Sequence, residues 1–195
     1  MKERPLLSTV RFLVRTLTKY QVINQENVPM HGAALLTTNH LSRLDTPLLL
    51  AITEREDLVG IIAKKYQKMP FFKWILEKVA IMVWMDRERI DFSAIRTAID
   101  HLRAGRIVGI APEGTRSRKS KGLLEGKQGA ALMVGRAAVP IIPAGIIGSE
   151  KINAHFLRFR RPPVTIRVGE PYSLPPMDME DRQGWLTRST DEIMC

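Results

Sequence analysis

Short apolar runs alternate along this chain with stretches in which apolar residues recur every three to four positions. The runs are typical of buried strands, and the three-to-four spacing is typical of helices that bury one face. The predicted strands are 33–38, 58–63, 80–85, 106–111, 140–146 and 164–168, and the helices between them are 45–53, 69–78, 91–104 and 126–136. Alternating strands and helices predict an α/β fold with a mostly parallel central sheet flanked by helices.

The N-terminal segment, residues 1–20, predicts an amphipathic helix from residue 5 onward. Its apolar side consists of Leu6, Leu7, Val10, Leu13, Val14 and Leu17, and Arg11, Arg15 and Lys19 form a basic row roughly opposite. Such a helix either lies on an anionic membrane or docks on the protein's own core. We therefore divide the chain into this basic helix, residues 1–20, and a main domain, residues 21–195, with a last helix expected after Pro175-Pro176.

Composition limits the class of protein and its partners. A chain of 195 residues predicts one domain, and a formal net charge of +10 indicates an anionic partner: nucleic acid, a membrane surface or a phosphorylated substrate. The one cysteine, Cys195, excludes a disulfide within the chain, which fits a reducing compartment. No apolar run approaches the ~18 residues of a membrane-spanning helix. Arg11 and Arg15 interrupt the apolar part of the N-terminus, so we expect a peripheral protein on the cytoplasmic face of the membrane.

A histidine and a carboxylate lie close together after the predicted strand 33–38. A neutral imidazole such as that of His40 accepts a proton near pH 7, and a carboxylate such as that of Asp45 fixes its tautomer. On one continuous helix their side chains would lie about 140° apart. The pair therefore requires His40 in a loop and Asp45 at the start of a helix, where Pro47 is tolerated. The alternative is that Asp45 only caps the helix and His40 is an ordinary loop residue.

A second polar segment, residues 112–117, follows the predicted strand 106–111. Gly114 allows close backbone approach, Arg116 offers a bidentate grip on phosphate, and Glu113 offers acceptors for the hydroxyls of a polyol. In a parallel sheet the carboxyl ends of the strands share one edge, and binding sites gather there. His40 and Glu113 are both predicted at that edge. The alternative is a solvated polar turn.

Two other segments have two interpretations each. Arg87 ends the strand-like run 80–85 and is either a phosphate ligand or a surface partner of Asp86 or Glu88. The segment 69–76 contains three aromatic and three aliphatic side chains, which suit an acyl-chain groove, a bilayer contact or an ordinary core helix.

Four blocks now resemble those of a known family, in its order. They are residues 39–45, 80–87, 111–117 and 139–143, with Ala80 where glycine is common and Ala111 where phenylalanine is usual. The chain resembles the glycerolipid acyltransferases of the bacterial 1-acyl-sn-glycerol-3-phosphate acyltransferase type. The match runs from about residue 20 to 170. Both departures replace one apolar residue by another, so they bear on packing or chain preference more than on chemistry.

This resemblance implies a role for each site residue. His40 would be the general base for the free hydroxyl of 1-acylglycerol-3-phosphate, and Asp45 would orient it. Glu113, Gly114 and Thr115 would help to bind this acceptor, and Arg87 and Arg116 would hold its phosphate. The acyl group would come from acyl-CoA or acyl carrier protein as co-substrate, and the product would be phosphatidic acid for phospholipid biosynthesis.

The resemblance implies no cofactor and no metal. The four histidines, His31, His40, His101 and His155, show no metal-ligand spacing. A nucleic-acid partner is not expected, because the chain lacks a recognised reading motif. Two alternatives remain: an acyltransferase for another acceptor, such as glycerol-3-phosphate or another lysolipid, and a non-catalytic basic lipid-binding homologue.

Overall fold

One seven-stranded sheet runs through the computed structural model, which describes residues 5–86, 90–115, 124–158 and 160–195, without the side chains of residues 153 and 156. The strands are β1 Lys19–Ile23, β2 Ala34–Thr38, β3 Val59–Ala63, β4 Ile81–Met85, β5 Ile107–Ile110, β6 Ile141–Ile147 and β7 Pro163–Val168. They lie in the order β1-β7-β6-β2-β5-β3-β4. All neighbours are parallel except β6 and β7. The predicted mostly parallel α/β sheet is confirmed.

Seven α-helices surround the sheet within the described ranges. They are α1 Pro5–Leu17, α2 Asp45–Leu50, α3 Pro70–Val79, α4 Phe92–Arg103, α5 Gly129–Ala137, α6 Ile152–Phe156 and α7 Arg182–Met194. The six predicted strands and the predicted helices are present, with ends that differ by a few residues. Strand β1 and the short helix α6 were not predicted. The helix expected to run to residue 20 ends at Leu17, because Lys19 already pairs with Pro163 at the start of β7.

The two faces of the sheet carry separate cores. Successive residues of a strand point to opposite faces, so neighbours such as Leu35 and Leu36 of β2 enter different layers. Leu36, Ile107 and Ile142 pack with Leu7 and Val14 of α1 and Leu48 of α2. Leu35, Val108 and Ile141 pack with Ile99 of α4, Met133 of α5 and Trp185 of α7. Helices therefore cover both faces, as a buried parallel sheet requires.

Helix α1 is docked on the first of these cores through a buried arginine. Arg11 is only 6% exposed. Its Nε donates to the carbonyl oxygen of Leu50 at 3.1 Å, and its Nη2 donates to that of Arg55 at 2.6 Å. Lys19 belongs to strand β1. The prediction of one continuous basic row is therefore wrong for Arg11 and Lys19, because the first is satisfied inside the protein and the second is not helical.

The outer side of α1 includes exposed apolar side chains. Phe12 is 66% exposed, and Leu13 and Leu17 are also exposed. The helix thus buries one apolar stripe and leaves a smaller group of apolar side chains exposed beside polar ones. Across the described ranges, no helix combines the length and the apolar character needed to traverse a bilayer.

Candidate active site

His40 and Asp45 contact each other at the junction between β2 and α2. His40 lies in the loop that follows Thr38, and Asp45 is the first residue of α2, with Pro47 in the first turn. The Nδ1 atom of His40 lies 2.8 Å from Oδ2 of Asp45. The carboxylate is 2% exposed and the imidazole 18% exposed. The loop-to-helix geometry that the sequence predicts is present.

The carboxylate of Asp45 also folds the loop around the histidine. Its Oδ2 accepts hydrogen bonds from the backbone N–H groups of Leu41 and Ser42, each at 2.8 Å. The N-cap of α2 is Leu44, and no side chain caps the helix. The alternative in which Asp45 only caps the helix is therefore wrong. A single carboxylate oxygen receives one side-chain and two backbone contacts, an arrangement suited to an ionised group.

Asn39 fixes the other side of the loop to the neighbouring strand β6. Its Nδ2 donates to the carbonyl oxygen of Ile146 at 2.9 Å, and its Oδ1 accepts from the N–H of the same residue at 2.7 Å. This contact lies just beyond the last paired residues of the two strands, Thr38 and Ala144. The side chain thus prolongs the attachment of the central strand up to His40.

Glu113 approaches the same loop from strand β5, on the other side of β2. It is 2% exposed. Its Oε1 accepts from the backbone N–H of His40 at 3.4 Å, and its Oε2 accepts from that of Leu124 at 3.2 Å. The predicted meeting of His40 and Glu113 at one edge of the sheet is therefore observed, and it involves the backbone of His40.

A cavity of about 860 Å³ opens beside His40, on the sheet face that α1, α2 and α3 cover. Most of its wall is apolar and includes Val10, Leu36, Leu58, Phe72, Ile75 and Met82. Gly60 of β3 and Gly109 of β5 also line it and are paired in register. Two adjacent glycines leave the sheet without side chains at this point. The cavity therefore has space for a long apolar group next to the imidazole.

Helix α3 contributes to this cavity and to the surface. Phe72 and Leu76 line the cavity, whereas Phe71 is 73% exposed and Trp74 is 53% exposed. The Phe71 and Trp74 rings are stacked, with centroids 6.4 Å apart. Of the interpretations open for residues 69–76, an ordinary core helix is wrong. An apolar groove is observed, and its use for an acyl chain stays a prediction. The outer face is available for another apolar partner.

Basic side chains lie where the cavity opens. Arg43, Lys64, Lys65 and Lys127 all line it. Sequence reasoning missed the three lysines, although Lys64 directly follows β3 and so meets the strand-end rule that selected His40. Within the described parts of the chain, no three His, Cys, Asp or Glu side chains are grouped to hold a metal ion. These described cations place positive charge beside the cavity, which favours an anion there.

The predicted acceptor-binding residues separate into three groups. Gly114 and Thr115 line the cavity, and Gly114 adopts a left-handed backbone with φ of 68°. A Cβ at this glycine would lie 2.9 Å from Cδ of Lys127, so the lysine side chain packs directly over it. Glu113 faces backbone N–H groups instead. Arg87 and Arg116 lie outside the described residues, so their proposed contact with phosphate stays a prediction.

Comparison with known proteins shows a family match and several similar sequences. The sequence model of the family described as Acyltransferase matches residues 19–147. The chain is 30% identical over 156 residues to a 1-acyl-sn-glycerol-3-phosphate acyltransferase of Bacillus subtilis, an alignment that covers 77% of this chain and 72% of the relative. It is 34% identical over 144 residues to a probable enzyme of the same name from Mycoplasma pneumoniae, covering 71% of this chain and 53% of that protein.

A solved structure shares the fold. The crystal structure of the 1-acyl-sn-glycerophosphate acyltransferase of Thermotoga maritima superposes with a TM-score of 0.67 at 21% identity, over 100% of this chain and 83% of that one. The family predicted from four sequence blocks is confirmed by the family match and by the relatives. The chain belongs to the Acyltransferase family.

Proposed function

We propose that this protein transfers a fatty acyl group from a thioester to the free hydroxyl of 1-acylglycerol-3-phosphate, which gives phosphatidic acid. The observation that carries the proposal is the His40–Asp45 pair at the mouth of an apolar cavity bordered by cations. The acceptor has three matching parts: a hydroxyl, an acyl chain and a phosphate. The names of the relatives support this acceptor class.

The geometry supports general base catalysis. An ionised carboxylate only accepts hydrogen bonds, so Asp45 favours the tautomer of His40 with the proton on Nδ1. Nε2 then takes the proton of the acceptor hydroxyl as its oxygen forms a bond to the thioester carbonyl carbon. When the tetrahedral intermediate collapses, the carbon–sulfur bond breaks, and the imidazolium returns its proton to the leaving thiolate. Asp45 stabilises the imidazolium between these steps. Proton transfer of this kind contributes roughly 10²–10⁴-fold.

The cations at the cavity mouth support an anionic acceptor. Lys64 and Lys65 follow β3, Lys127 precedes α5, and all three line the cavity, so a phosphate bound there would meet positive charge from two segments. Arg87 and Arg116 would add bidentate contacts, and Gly114 and Thr115 would approach the acceptor glycerol. A neutral alcohol would gain none of this attraction, so the site favours a phosphorylated acceptor over glycerol itself.

The exposed apolar side chains support action at a membrane surface. Phe71 and Trp74 on α3 and Phe12 on α1 are more than half exposed, and α1 contacts α3. Lys64, Lys65 and Lys68 occupy the short 3-10 helix that precedes α3. Apolar side chains next to lysines suit the boundary between acyl chains and anionic headgroups. We propose that the protein is peripheral and draws its acceptor from the cytoplasmic leaflet. Acyl-CoA and acyl carrier protein both remain as donors.

The test is acyl transfer to 1-acylglycerol-3-phosphate in vesicles, with acyl-CoA and acyl carrier protein as separate donors. We expect turnover by the wild type and a loss of about a hundredfold or more in His40→Ala, with an unchanged circular dichroism spectrum. Arg182→Ala, on the exposed start of α7, is the matched surface control. Thiol reagents label Cys195 once per chain, so continued thiol release reports turnover.

Equal rates in the wild type and His40→Ala would contradict the proposed base. Glycerol-3-phosphate and a neutral lysolipid serve as alternative acceptors in the same assay. Faster transfer to either compound would show that it is the preferred acceptor, and the proposed reaction, acyl transfer from a thioester to a hydroxyl, would still stand. An absence of transfer to all acceptors from both donors, with retained vesicle binding, would favour a non-catalytic lipid-binding homologue.

A further inference from the structure

We propose that Glu113 is a positioning residue for His40 and not part of the acceptor site. This inference rests on the proposed function and reassigns one residue within it. The family resemblance placed Glu113 with Gly114 and Thr115 as acceptor-binding residues, but the three residues make different contacts. Gly114 and Thr115 line the cavity, whereas both carboxylate oxygens of Glu113 accept hydrogen bonds from backbone N–H groups.

The burial of Glu113 supports a fixed role. A carboxylate that is 2% exposed is costly to hold in a protein unless hydrogen bonds replace its water. The Oε1–N distance to His40 is 3.4 Å and the Oε2–N distance to Leu124 is 3.2 Å. These are long hydrogen bonds, so each is weak alone, but together they use one acceptor on each oxygen. A side chain committed in this way has little freedom to turn toward a substrate hydroxyl.

Glu113 completes a set of contacts along the catalytic loop. The side chain of Asn39 binds the backbone of Ile146, and the N–H groups of Leu41 and Ser42 bind Asp45. The backbone N–H of His40 lies between these contacts along the loop, and it donates a hydrogen bond to Glu113. The loop is therefore held from β6 by Asn39, from β5 by Glu113 and from α2 by Asp45. Through the backbone of His40, Glu113 helps to set where the imidazole stands.

The position of Lys127, a candidate phosphate ligand, depends on a hydrogen bond that does not involve the Glu113 side chain. The segment that brings Lys127 to the cavity is held by its own hydrogen bond, from the N–H of Lys127 to the carbonyl oxygen of Pro112 at 2.9 Å. Loss of the Glu113 carboxylate leaves that bond in place. We therefore expect Glu113 variants to impair the chemical step and Lys127 variants to impair acceptor binding.

Glu113→Gln and Lys127→Gln form the matched pair of variants. An amide retains one acceptor atom but directs an N–H₂ group at the other backbone donor. A displacement of the base by about 1 Å costs up to about 10²-fold in rate, so Glu113→Gln should lower kcat by roughly 10–10² with KM for 1-acylglycerol-3-phosphate little changed. Lys127→Gln should raise KM and leave kcat nearly unchanged.

Binding in the His40→Ala background provides a readout that does not depend on turnover. The Kd of 1-acylglycerol-3-phosphate is measured calorimetrically for His40→Ala and for His40→Ala/Glu113→Gln. Equal Kd values are expected, because Glu113 positions an imidazole that His40→Ala has already removed and does not itself contact the acceptor. A weaker Kd in the double variant, or a raised KM with unchanged kcat in Glu113→Gln, would overturn the proposal. Unchanged kcat and KM together would overturn it equally.

Glu113→Asp keeps the experiment decisive where Glu113→Gln fails to fold. The shorter carboxylate keeps its charge but no longer spans both N–H groups. The same fall in kcat with unchanged KM is expected, whereas restored kcat would show that charge near the acceptor is what matters. An inactive wild type would reject the proposed function itself, and that outcome is distinct from all of these.

Discussion

The side-chain amide of Asn39 makes both of its hydrogen bonds to one backbone residue, Ile146, at 2.9 and 2.7 Å. An amide that replaces a peptide group in this way ties the end of β2 to β6 immediately before His40. Asn39→Ala leaves two backbone groups of Ile146 without this partner, which should reduce the free energy of unfolding by about 1–3 kcal/mol. It should also lower kcat more than it changes KM. Urea unfolding and steady-state kinetics measure the two effects.

Asn39→Asp separates the two hydrogen bonds. Its carboxylate still accepts from the N–H of Ile146 but faces the carbonyl oxygen without a donor. We expect a loss of stability close to that of Asn39→Ala. Full wild-type stability in the aspartate variant would contradict the bidentate contact.

Asp45→Asn tests the partner of the base. The amide presents either an oxygen or an N–H₂ group to Nδ1 of His40, and it carries no charge to stabilise the imidazolium. The wrong tautomer and the lost charge should together lower kcat by roughly 10²–10⁴, with a small change in KM. Kinetics with saturating thioester measures this, and retention of more than half the rate would contradict the assigned role.

Arg55 holds three loops together at the opposite edge of the sheet. Its guanidinium donates to both carboxylate oxygens of Asp57, at 2.8 and 2.6 Å, and to the carbonyl oxygens of Pro29, Gly32 and Gly105. Arg55→Met should lower the free energy of unfolding by about 1.5–3 kcal/mol, because partly buried acceptors lose a charged donor. Arg182→Ala, on the surface, should change it by less than about 0.5 kcal/mol. Similar losses in both variants would contradict this.

The ion pair between Arg55 and Asp57 predicts that the free energy of unfolding depends on pH. The hydrogen bond from Arg55 lowers the pKa of Asp57 below its ordinary value of 3.8. The unfolded chain then binds more protons than the folded one between the two pKa values, so stability rises with pH there. The contribution is complete above the unfolded pKa and is lost as the pH falls through the folded one. Asp57→Asn should therefore cost stability at pH 6 and much less at the acid end. Urea unfolding across that range measures it, and an equal cost at both ends would contradict the prediction.

Gly60 and Gly109 predict a limit on acyl-chain length. They are paired in register at the cavity wall, and a Cβ on either would meet its nearest atom at 3.7 Å, so a side chain fits there without backbone strain. Gly60→Val and Gly109→Val should fill part of the cavity and slow transfer of long acyl groups more than short ones. Gly145→Val is the matched control, since Gly145 is an exposed position of β6 with open space around it. A parallel change at all chain lengths would contradict a role in length selection.

Much of this architecture could be predicted from the sequence, because a buried parallel sheet requires continuous apolar strands. Strand β1 was not predicted, because it has no such apolar run. It lies at the edge of the sheet, and its five residues, which include Lys19 and Gln21, are partly exposed and form no apolar run. Its identity as a strand depends on pairing with β7, a contact from far along the chain.

The candidate site also contains some relations that the sequence indicates and others that it does not. The relation of His40 to Asp45 is local, so spacing and Pro47 showed how the two could meet, and the family resemblance favoured that pairing over a plain cap. The direction of Glu113 and the position of Lys127 depend on how separate segments pack, which periodicity does not encode. Arg11 is the clearest case: an arginine on a helical pattern is expected on the surface, but two carbonyl oxygens from distant residues hold it inside.

Because Arg11 is buried, the N-terminal helix is part of the structure that surrounds the candidate site. Val10, beside Arg11, lines the cavity, and Arg11 joins α1 to the end of α2, whose first residue is Asp45. Removing α1 to measure membrane binding would therefore open the apolar cavity and loosen the support of Asp45 at once. Loss of activity in such a truncation would carry no information about the bilayer. Phe12→Ser, on the exposed side, changes the outer surface while the inner wall stays closed, and it is the cleaner way to ask what α1 does at a membrane.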